Sequence, residues 1–299
     1  MAEQIARPQN PRPTASLAGH LALAAGLLFA PLAQAEGPAA QRIVSVGGAV
    51  TEIVYALGQQ DRLVARDMSS DYPPEAGALP DIGYMRRLSP EGVLSVKPDL
   101  VIAIEGAGPP EAVEVLAGAD IAMATIPEGY SRAAVGEKIR AVGAALGEEA
   151  AAADLATTVD AEIAAAVAQA AAHPGDKRVL FVLTTQGGRV MAGGRETAAD
   201  AIITMAGATN AVSDFEGYKP LSDEAVIRAA PQVILMMASD LAPTGTDEEL
   251  FAHPAIAATP AGLSHSLVRI DAMHLLGFGP RTASAVTALA EALSKAGRS

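Results

Sequence analysis

The sequence contains no cysteine and no tryptophan, and aromatic residues make up only 3% of its 299 positions. Without cysteine the chain can form no disulfide and no thiolate metal site, and it offers no thiol for catalysis or for a lipid anchor. With so few aromatic side chains, the hydrophobic core has to be built from alanine, valine, leucine and isoleucine. These absences exclude thiol catalysis and a disulfide-stapled scaffold.

Basic residues are also scarce. The chain has 21 lysines and arginines against 34 aspartates and glutamates, which gives a net charge of −13. Nucleic-acid binding depends on neutralising phosphates with Lys and Arg, and anionic lipid attracts basic surfaces. The charge therefore argues against both partners. Because half of the residues are hydrophobic and 18% are charged, the sequence predicts a globular protein rather than a disordered one.

The first 35 residues have the three-part pattern of a secretory signal peptide. Arg7 and Arg12 lie in a basic leader, an apolar run covers residues 17–32, and a small-x-small site ends at Ala35. The alternative is a membrane anchor, but the run is shorter than the roughly 20 residues that span a bilayer. We expect cleavage after Ala35, release into a bacterial periplasm, and a mature net charge of −14.

Residues 41–130 predict an N-terminal α/β lobe, because strand and helix signals alternate along this stretch. Thr51 is predicted near the N-cap of the first helix, and Ser89 with Pro90 is predicted to begin a later one. The predicted strands are RIVSV, RLVARD, PDLVIAI and IAMATIP. This order predicts a parallel sheet with helices on its faces.

Residues 131–174 predict a helical connector. No proline and no strand signal occur between Ser131 and Ala172, and alanine, glutamate and aliphatic residues recur there at helical spacing. If the helix is continuous, its ~40 residues extend about 60 Å at 1.5 Å per residue. The alternative is a single break, most readily at Gly147.

Residues 175–299 predict a second α/β lobe. In both 89–104 and 222–237, a serine precedes a short apolar helix, a proline and a buried strand, so these segments form an internal repeat. The predicted fold is therefore α/β, with two Rossmann-like lobes that have parallel sheets and are joined by the long connecting helix. A ligand is expected between the lobes, at the loops beyond the carboxyl ends of the strands.

Five segments carry a family resemblance. They are RIVSVGGAVTEIVYALG, SDYPPEA, PDIGYMRRLSPEGVLSVKPDLVIA, GGRETAADAIITMAGATNAV and LLGFGPRT. Together they resemble the periplasmic haem-binding proteins of bacterial haemin ABC uptake systems, within the superfamily of cobalamin- and siderophore-binding proteins. The resemblance covers essentially the whole mature chain, and GYMRRLS is the part that points to haem. It implies the fold of a class III periplasmic binding protein, whose two lobes are bridged by a rigid helix.

The resemblance also implies roles for individual residues. Tyr84 matches the tyrosine that is the axial ligand of ferric haem iron, and Arg86 matches the arginine that supports it. Glu91 and Glu224 match the surface glutamates, one in each lobe, through which superfamily members dock on their permease. Some relatives hold a second haem through a histidine near the segment GGRET. This chain has no histidine there, so one haem is expected.

The residue types in GYMRRLS suit this chemistry. Ferric iron favours an anionic oxygen ligand, and phenolate is one of its known axial ligands. A free tyrosine has a pKa of about 10, and both the iron and a nearby guanidinium favour the phenolate. In an extended loop, residues i and i+2 point to the same side, which predicts Arg86 beside Tyr84 and Met85 on the other side. Arg87 is expected to reach a haem propionate or solvent.

Candidate contacts in the second lobe are less specific. Tyr218 is expected to face the cleft and to stack on the macrocycle or meet its far face, unless it is simply an aromatic residue in a turn. Residues that could meet propionates are Thr184, Thr185, Arg195 and Lys219, whereas an acid at Asp240 would be poorly placed near them. His20 leaves with the leader, and the other histidines are expected to be structural: His173, His253, His265 and His274.

Other classes of function are weaker. An enzyme is disfavoured because no Walker, GxSxG or complete dinucleotide motif occurs, and a bare-metal receptor because no cluster of histidines and carboxylates appears. A receptor for cobalamin or a ferric siderophore is the runner-up, although such receptors usually use aromatic clefts. We expect a monomer that binds one haem, moves its lobes little on binding, and delivers the haem to an inner-membrane ABC permease with its ATPase.

Overall fold

A computed structural model describes residues 40–172, 177–238 and 246–296 of the chain. This part of the chain contains two β-sheets, which are separated in sequence by a helical segment. None of its helices is both long enough and apolar enough to cross a membrane. Some of the positions discussed above lie outside the described residues: the cleavage site after Ala35, His20, His173 and Asp240.

The N-terminal half alternates strands and helices as predicted. Its elements are β1 (Ile43–Val46), α1 (Gly48–Ala56), β2 (Leu63–Arg66), α2 (Pro90–Ser95), β3 (Leu100–Ile104), α3 (Pro110–Ala117) and β4 (Ala122–Ile126). The strands form one parallel sheet in the order β2-β1-β3-β4. Every residue of β1 and β3 is buried, which explains why both strands have nearly continuous apolar sequences.

Local sequence signals predict the start of α2 correctly and the start of α1 incorrectly. α1 begins at Gly48 with Gly47 as its N-cap residue, so the prediction that Thr51 lies near the cap is wrong. The Thr51 hydroxyl is buried and lies 2.7 Å from those of Ser45 and Ser70, where it links β1 to the loop after β2. The predicted cap of α2 is confirmed, because the hydroxyl of Ser89 accepts a hydrogen bond from a backbone N–H of the first turn at 3.2 Å.

The connector consists of two helices, α4 (Arg132–Leu146) and α5 (Glu149–Ala172). A single rod of about 60 Å is therefore wrong, and the alternative of one break is confirmed. Gly147 ends α4 with a left-handed φ of 74°, which favours glycine. Arg132 and Asp160 form an ion pair at 2.8 Å although 28 residues separate them. The two helices consequently run antiparallel, side by side.

The C-terminal half holds a larger sheet. Its elements are β5 (Arg178–Thr184), β6 (Val190–Gly193), α6 (Ala198–Met205), β7 (Thr209–Asn210), β8 (Tyr218–Leu221), α7 (Asp223–Ala229), β9 (Val233–Ala238), α8 (Asp247–Ala252), α9 (Pro254–Ala257), α10 (Pro260–Leu263), β10 (Leu267–Asp271), α11 (Ala272–Leu276) and α12 (Thr282–Lys295). The strand order is β10-β9-β5-β6-β8, and β7 also pairs with β5.

An all-parallel sheet is a wrong prediction for this half. β6 runs antiparallel to both β5 and β8. The reason is the short connection between β5 and β6, because a parallel pair needs a crossover of a dozen or more residues. The predicted repeat is confirmed, since Ser222 caps α7 through the N–H of Ala225 at 3.2 Å, as Ser89 caps α2, and each helix leads into a buried strand. The lobe boundaries at residues 130 and 174 stay predictions.

Buried apolar packing connects the two halves. A continuous cluster of buried aliphatic and aromatic side chains runs from β1 and α1 through α4 and α5 to β5, α6 and α12. Residues 273–281 of the C-terminal half pack on α1. A Cβ on Gly48 would lie 2.5 Å from Met273 Cε, and one on Gly279 would lie 3.2 Å from Ala49 Cβ. Glycine at these two positions therefore allows the close approach of the two halves.

Two buried ionic contacts reinforce this junction. Arg281 donates to Glu52 at 2.5 Å, and its guanidinium lies 3.7 Å from the centre of the Tyr72 ring. Lys138 is fully buried; its Nζ lies 2.7 Å from Glu128 and 3.2 Å from the carbonyl oxygen of Phe278. A buried charge needs such partners because its desolvation is costly. Both cations are therefore used within the fold.

Candidate functional site

Tyr84 lies in the loop between β2 and α2, and contacts on its N-terminal side fix the loop. Asp81 accepts the N–H of Gly83 at 2.7 Å and pairs with Arg66 at 2.9 Å. The N–H of Met68 donates to the carbonyl of Gly83 at 2.8 Å, and Gly83 has a φ of 95° that favours glycine. The loop therefore holds the tyrosine beyond the carboxyl end of β2.

The backbone after Tyr84 is not extended. Met85–Arg87 form one turn of 3₁₀ helix, and the N–H of Arg87 donates to the carbonyl of Tyr84 at 2.8 Å. Because this helix has three residues per turn, residues i and i+2 do not point to the same side. The alternation argument that placed Arg86 beside Tyr84 is therefore wrong. Tyr84 itself is 36% exposed, so its phenol is accessible to a ligand.

Arg86 is exposed, and its guanidinium lies against the loop that follows β3. A Cβ on Gly106 would lie 3.5 Å from its Nη1, so the glycine leaves room for the guanidinium. Arg86 and Arg87 are both exposed, and within the described ranges neither makes an ion pair or a side-chain hydrogen bond. The loop thus presents two cations that no described acid neutralises.

Tyr130 is a cleft candidate that the sequence analysis missed. It lies between β4 and α4, is half-buried, and packs edge-on against Phe278 with ring centroids 5.3 Å apart. Burial and the charge of Glu128 raise the pKa of Tyr130, and the positive charge of Arg86 partly offsets this rise. The one signal in the sequence was its position just beyond the carboxyl end of a parallel strand.

Tyr218 lies on β8, and the alternative of a turn aromatic is wrong. It is 40% exposed, and its ring lies 6.1 Å from that of Phe181 in an edge-on contact. Desolvation of the hydroxyl is the main cause that raises the pKa of Tyr218, followed by the nearby Tyr130. Hydrogen bonds with the backbone of Ala199 and the side chain of Thr197, at the start of α6, and the charge of Arg86 lower this pKa and partly offset the rise. Tyr218 therefore presents a partly exposed phenol at the start of β8.

The other predicted contacts of the C-terminal half have local partners. Arg195 pairs with Glu216 at 3.1 Å, and both side chains are largely exposed. The Nζ of Lys219 lies 5.7 Å from the centre of the Phe215 ring. Thr184 ends β5, and Thr185 follows it. Arg195 would have to leave Glu216 to reach a ligand, which makes it a weaker candidate than Arg86.

The histidines in the described residues also make local contacts. His253 Nε2 lies 3.3 Å from the carbonyl oxygen of Gly188, and the ring of His265 lies 4.6 Å from that of Phe251. His274 bonds to Ser284 at 2.8 Å, and burial lowers its pKa. Over the ranges that the structure covers, no group of three or more histidines and carboxylates could hold a metal ion.

Glu91 and Glu224 are exposed in the first turns of α2 and α7. The Ser89 hydroxyl donates to Glu91 at 2.8 Å. Hydrogen bonds lower the pKa of both carboxyls. For Glu91 the largest cause is the hydrogen bond from the Ser89 side chain, and for Glu224 it is the hydrogen bond from its own backbone N–H. Both glutamates are therefore ionised at neutral pH, matched in position and free to meet a cationic partner.

Two surface grooves lie away from these tyrosines. One, of about 640 Å³, is lined by Asp247, Glu248, Phe251, Ala252, His265, Leu267 and Arg269. The other, of about 620 Å³, is lined by Tyr55, Gln60, Asp61, Leu63, Glu75 and Leu79. Neither contains any of the predicted ligand-binding residues. The candidate site is therefore defined by the chemistry of the Tyr84 loop and its neighbours.

The sequence matches the model of one protein family over most of its length. This family is described as periplasmic binding protein, and the match covers residues 43–273. Among curated proteins, a vitamin B12-binding protein of Pectobacterium atrosepticum is 31% identical over 205 residues, which are 66% of this chain and 71% of that protein. The matched segment spans 35% to 71% of the length of the curated relatives.

Solved structures resemble the chain over a larger share of its length. The periplasmic haem-binding protein BhuT, in complex with two haems, is 43% identical with a TM-score of 0.80, and the match covers 85% of this chain and 97% of BhuT. The periplasmic haem-binding protein RhuT from Roseiflexus sp. RS-1, in its apo form, is 42% identical with a TM-score of 0.81 and the same coverage. The predicted architecture is confirmed at this level of similarity.

Proposed function

The chain belongs to the periplasmic binding protein family, and on that premise we propose that it is a receptor for ferric haem. The observation that carries the proposal is its similarity to two haem-binding proteins of this family at 42% and 43% identity over 85% of the chain. The exposed phenol of Tyr84 and the unpaired Arg86 in the same loop support it.

Tyr84 is the axial ligand of the iron in this proposal. Ferric iron accepts phenolate, and Arg86 supplies an exposed cation in the same loop. Arg87 is free to meet a propionate or solvent. Tyr218 meets the ligand from the C-terminal half. Arg195 contributes only if it leaves Glu216.

One haem is bound in the proposal. BhuT was solved with two haems, but the segment Gly193–Thr197 of this chain has no histidine that could hold a second iron. The end point of a haemin titration decides between the two stoichiometries. An end point at one equivalent supports the proposal, and one at two equivalents contradicts it.

Delivery to a permease completes the proposed function. The signal peptide is removed after Ala35, and the mature protein works in the periplasm as a monomer with its lobes at residues 41–130 and 175–299. Glu91 and Glu224 dock on arginines of an inner-membrane ABC permease, whose ATPase drives uptake. The protein itself catalyses no reaction.

Cobalamin is the second candidate ligand, with ferric siderophores in the same class. The relative from Pectobacterium atrosepticum favours it, because its name gives vitamin B12 as the ligand. Greater identity and coverage favour haem.

The assignment is tested by measuring the binding of haemin, cyanocobalamin and a ferric hydroxamate to mature residues 36–299. Binding is followed by absorbance and by tyrosine fluorescence, which is not masked by tryptophan because the chain has none. We expect saturable binding of haemin alone. Saturable binding of cobalamin or the hydroxamate without binding of haemin would overturn the haem proposal.

A further inference from the structure

Asp67 is a fully buried acid that directly follows β2. One carboxylate oxygen, Oδ1, accepts the backbone N–H of Gly47 at 2.8 Å and the hydroxyl of Ser70 at 2.7 Å. The other, Oδ2, accepts the backbone N–H of Ser69 at 2.9 Å and the hydroxyl of the same residue at 2.6 Å. A carboxylate has about four acceptor positions. The start of α1 and the loop after β2 therefore use the whole hydrogen-bonding capacity of Asp67.

The hydroxyl groups beside Asp67 form a directed chain of hydrogen bonds. Because Ser70 donates its hydroxyl hydrogen to Asp67, its oxygen accepts from the hydroxyl of Thr51, at 2.7 Å. Thr51 has then used its own hydrogen, so it accepts from the hydroxyl of Ser45, 2.7 Å away. All four residues are fully buried. Since a carboxylate only accepts hydrogen bonds, Asp67 sets the direction of the chain from β1 through α1 to the loop after β2.

The backbone around Asp67 supports the segment that leads to Tyr84. The N–H of Asp67 donates to the carbonyl of Ser45 on β1 at 3.2 Å. The next N–H, that of Met68, points to the opposite side, as in a parallel ladder. It donates at 2.8 Å to the carbonyl of Gly83, the residue before Tyr84. A displacement of Asp67 would therefore move the support of the residue that precedes the phenol.

A second contact reaches the chain on the other side of Tyr84. The hydroxyl of Ser69, which donates to Asp67, lies 3.8 Å from the Sδ of Met85. Met85 begins the 3₁₀ turn after Tyr84, and its carbonyl accepts the N–H of Gly108 at 2.9 Å. The carboxylate of Asp67 thus orders residues that contact the chain immediately before and immediately after the phenol.

We propose that Asp67 is a positioning residue for the iron ligand. The inference rests on the proposed function, in which the phenolate of Tyr84 binds ferric haem iron. Tyr84 is 36% exposed, so the direction of its side chain depends strongly on the backbone on either side of it. Groups that orient a metal ligand affect the affinity for the metal although they do not bind it. Asp67 fills this role through hydrogen bonds to the loop, without contact to the haem.

Asp67→Asn and Tyr84→Phe form a double-mutant cycle that tests this role. Asparagine keeps the shape of the side chain, but its NH₂ group cannot accept from the two donors that faced the replaced oxygen. We expect Asp67→Asn to weaken haemin binding about tenfold, as loss of a group that orients a metal ligand does, and to shift the ferric-phenolate absorption band. In Tyr84→Phe, which has no phenolate to position, the same substitution should change haemin affinity less than about twofold.

The loss of a buried acceptor also lowers stability, and Thr259→Val is the matched control for that effect. Thr259 is fully buried, and its hydroxyl makes hydrogen bonds of 2.7 Å and 3.1 Å at the start of α10. Thr259→Val should lower the unfolding temperature and leave both haemin affinity and the phenolate band unchanged. If Asp67→Asn does not fold, Ser69→Ala replaces it in the cycle. Ser69→Ala removes one hydrogen bond to the carboxylate and should weaken haemin binding about threefold, only where Tyr84 is present.

The outcomes separate the positioning role from the proposed function. If folded Asp67→Asn keeps the haemin affinity and the phenolate band of wild type, Asp67 does not position the ligand, while the proposed function stands. The same conclusion follows if Asp67→Asn costs as much affinity in Tyr84→Phe as in wild type, because the effect would not pass through the phenol. If wild type does not bind haemin, the proposed function and this inference fail together.

Discussion

Two regions of the protein each carry a prominent arginine, and the two arginines are used in opposite ways. Arg281, in the segment that packs on α1, has a carboxylate at 2.5 Å and an aromatic ring at 3.7 Å. Arg86, in the Tyr84 loop, is exposed and has no acidic partner in the residues described. Arg281 is therefore bound within the fold, whereas Arg86 is accessible to a ligand.

The two arginines distinguish a contact that stabilises the fold from a segment that is available for ligand binding. Glu52, Tyr72 and Arg281 come from three of the segments that carry the family resemblance, and they meet in one contact between the halves. In the segment around Tyr84, Arg86 and Arg87 have no such partner among the described residues, which fits the resemblance of this segment to a haem-binding loop.

The largest effect is expected when the internal pair is broken. Arg281→Met should lower the free energy of unfolding by about 3 kcal/mol, because it leaves the buried carboxylate of Glu52 without its cation. Urea denaturation at neutral pH measures this loss. Arg281→Met combined with Glu52→Gln should lose less than Arg281→Met alone. An equal or larger loss in the double variant would show that the ion pair is not the cause.

The same variant should respond to pH. Burial raises the pKa of Glu52 above its ordinary value in the folded protein. A raised folded-state pKa means that protonated Glu52 favours folding below the unfolded pKa, and that this advantage is lost as the pH rises through the folded value. Without Arg281 the pKa rises further. The deficit of Arg281→Met should therefore shrink on acidification toward pH 4.5 and grow toward neutral pH; a deficit independent of pH would contradict this account.

Substitution of Arg86 should affect haemin affinity more than stability, the reverse of the effect expected for Arg281. Arg86→Gln should weaken haemin binding about tenfold, since it removes a charge-assisted contact. It should change the free energy of unfolding by no more than about 0.5 kcal/mol, as is usual for an exposed side chain. Arg87→Gln, its exposed neighbour in the same turn, is the matched control for affinity. A larger loss with Arg87→Gln would move the ligand contact to that residue.

A smaller effect is expected for the surface pair of the C-terminal half. Arg195→Gln removes an exposed contact with Glu216, and such pairs contribute about 0–1 kcal/mol. We expect a change in haemin affinity of less than about threefold, because exposed surface pairs carry little energy. Titration with haemin measures it beside Arg86→Gln. A loss as large as that of Arg86→Gln would restore Arg195 as a direct ligand contact.

The smallest effect on the isolated protein is expected at the two matched glutamates. Glu91→Lys and Glu224→Lys should leave haemin affinity unchanged, because both residues are exposed in the first turns of their helices. Binding to the permease in proteoliposomes should weaken with either variant and be lost with both. Glu162→Lys, an exposed position on α5, controls for the charge change. Unchanged permease binding in the double variant would exclude the docking role.

Local signals in the sequence were sufficient for much of the fold. The strands β1, β3 and β9 are buried apolar runs, and the serine caps of α2 and α7 are fixed by contacts within four residues. The antiparallel strands β6 and β8 were missed because they are short, and β8 is mostly exposed. The packing of α4 beside α5 depends on tertiary contacts that helical periodicity does not encode.

The site could be predicted only in part. The segment around Tyr84 was recognisable, but its backbone forms a 3₁₀ turn, so the direction of Arg86 could not follow from strand alternation. Tyr130 was missed because its importance comes from Phe278, 148 residues away. The ion pair between Glu52 and Arg281 joins residues 229 apart. Such contacts are consequences of the assembled fold.

The most direct test of the central proposal is an absorbance titration of mature wild type and Tyr84→Phe with haemin. Tyr84 is 36% exposed, so the variant should fold like wild type, and its unfolding temperature checks this. We predict a ferric-phenolate spectrum that saturates at one equivalent in wild type and is absent from Tyr84→Phe, whose affinity falls at least about tenfold. A phenolate spectrum that persists in Tyr84→Phe would show that another residue binds the iron.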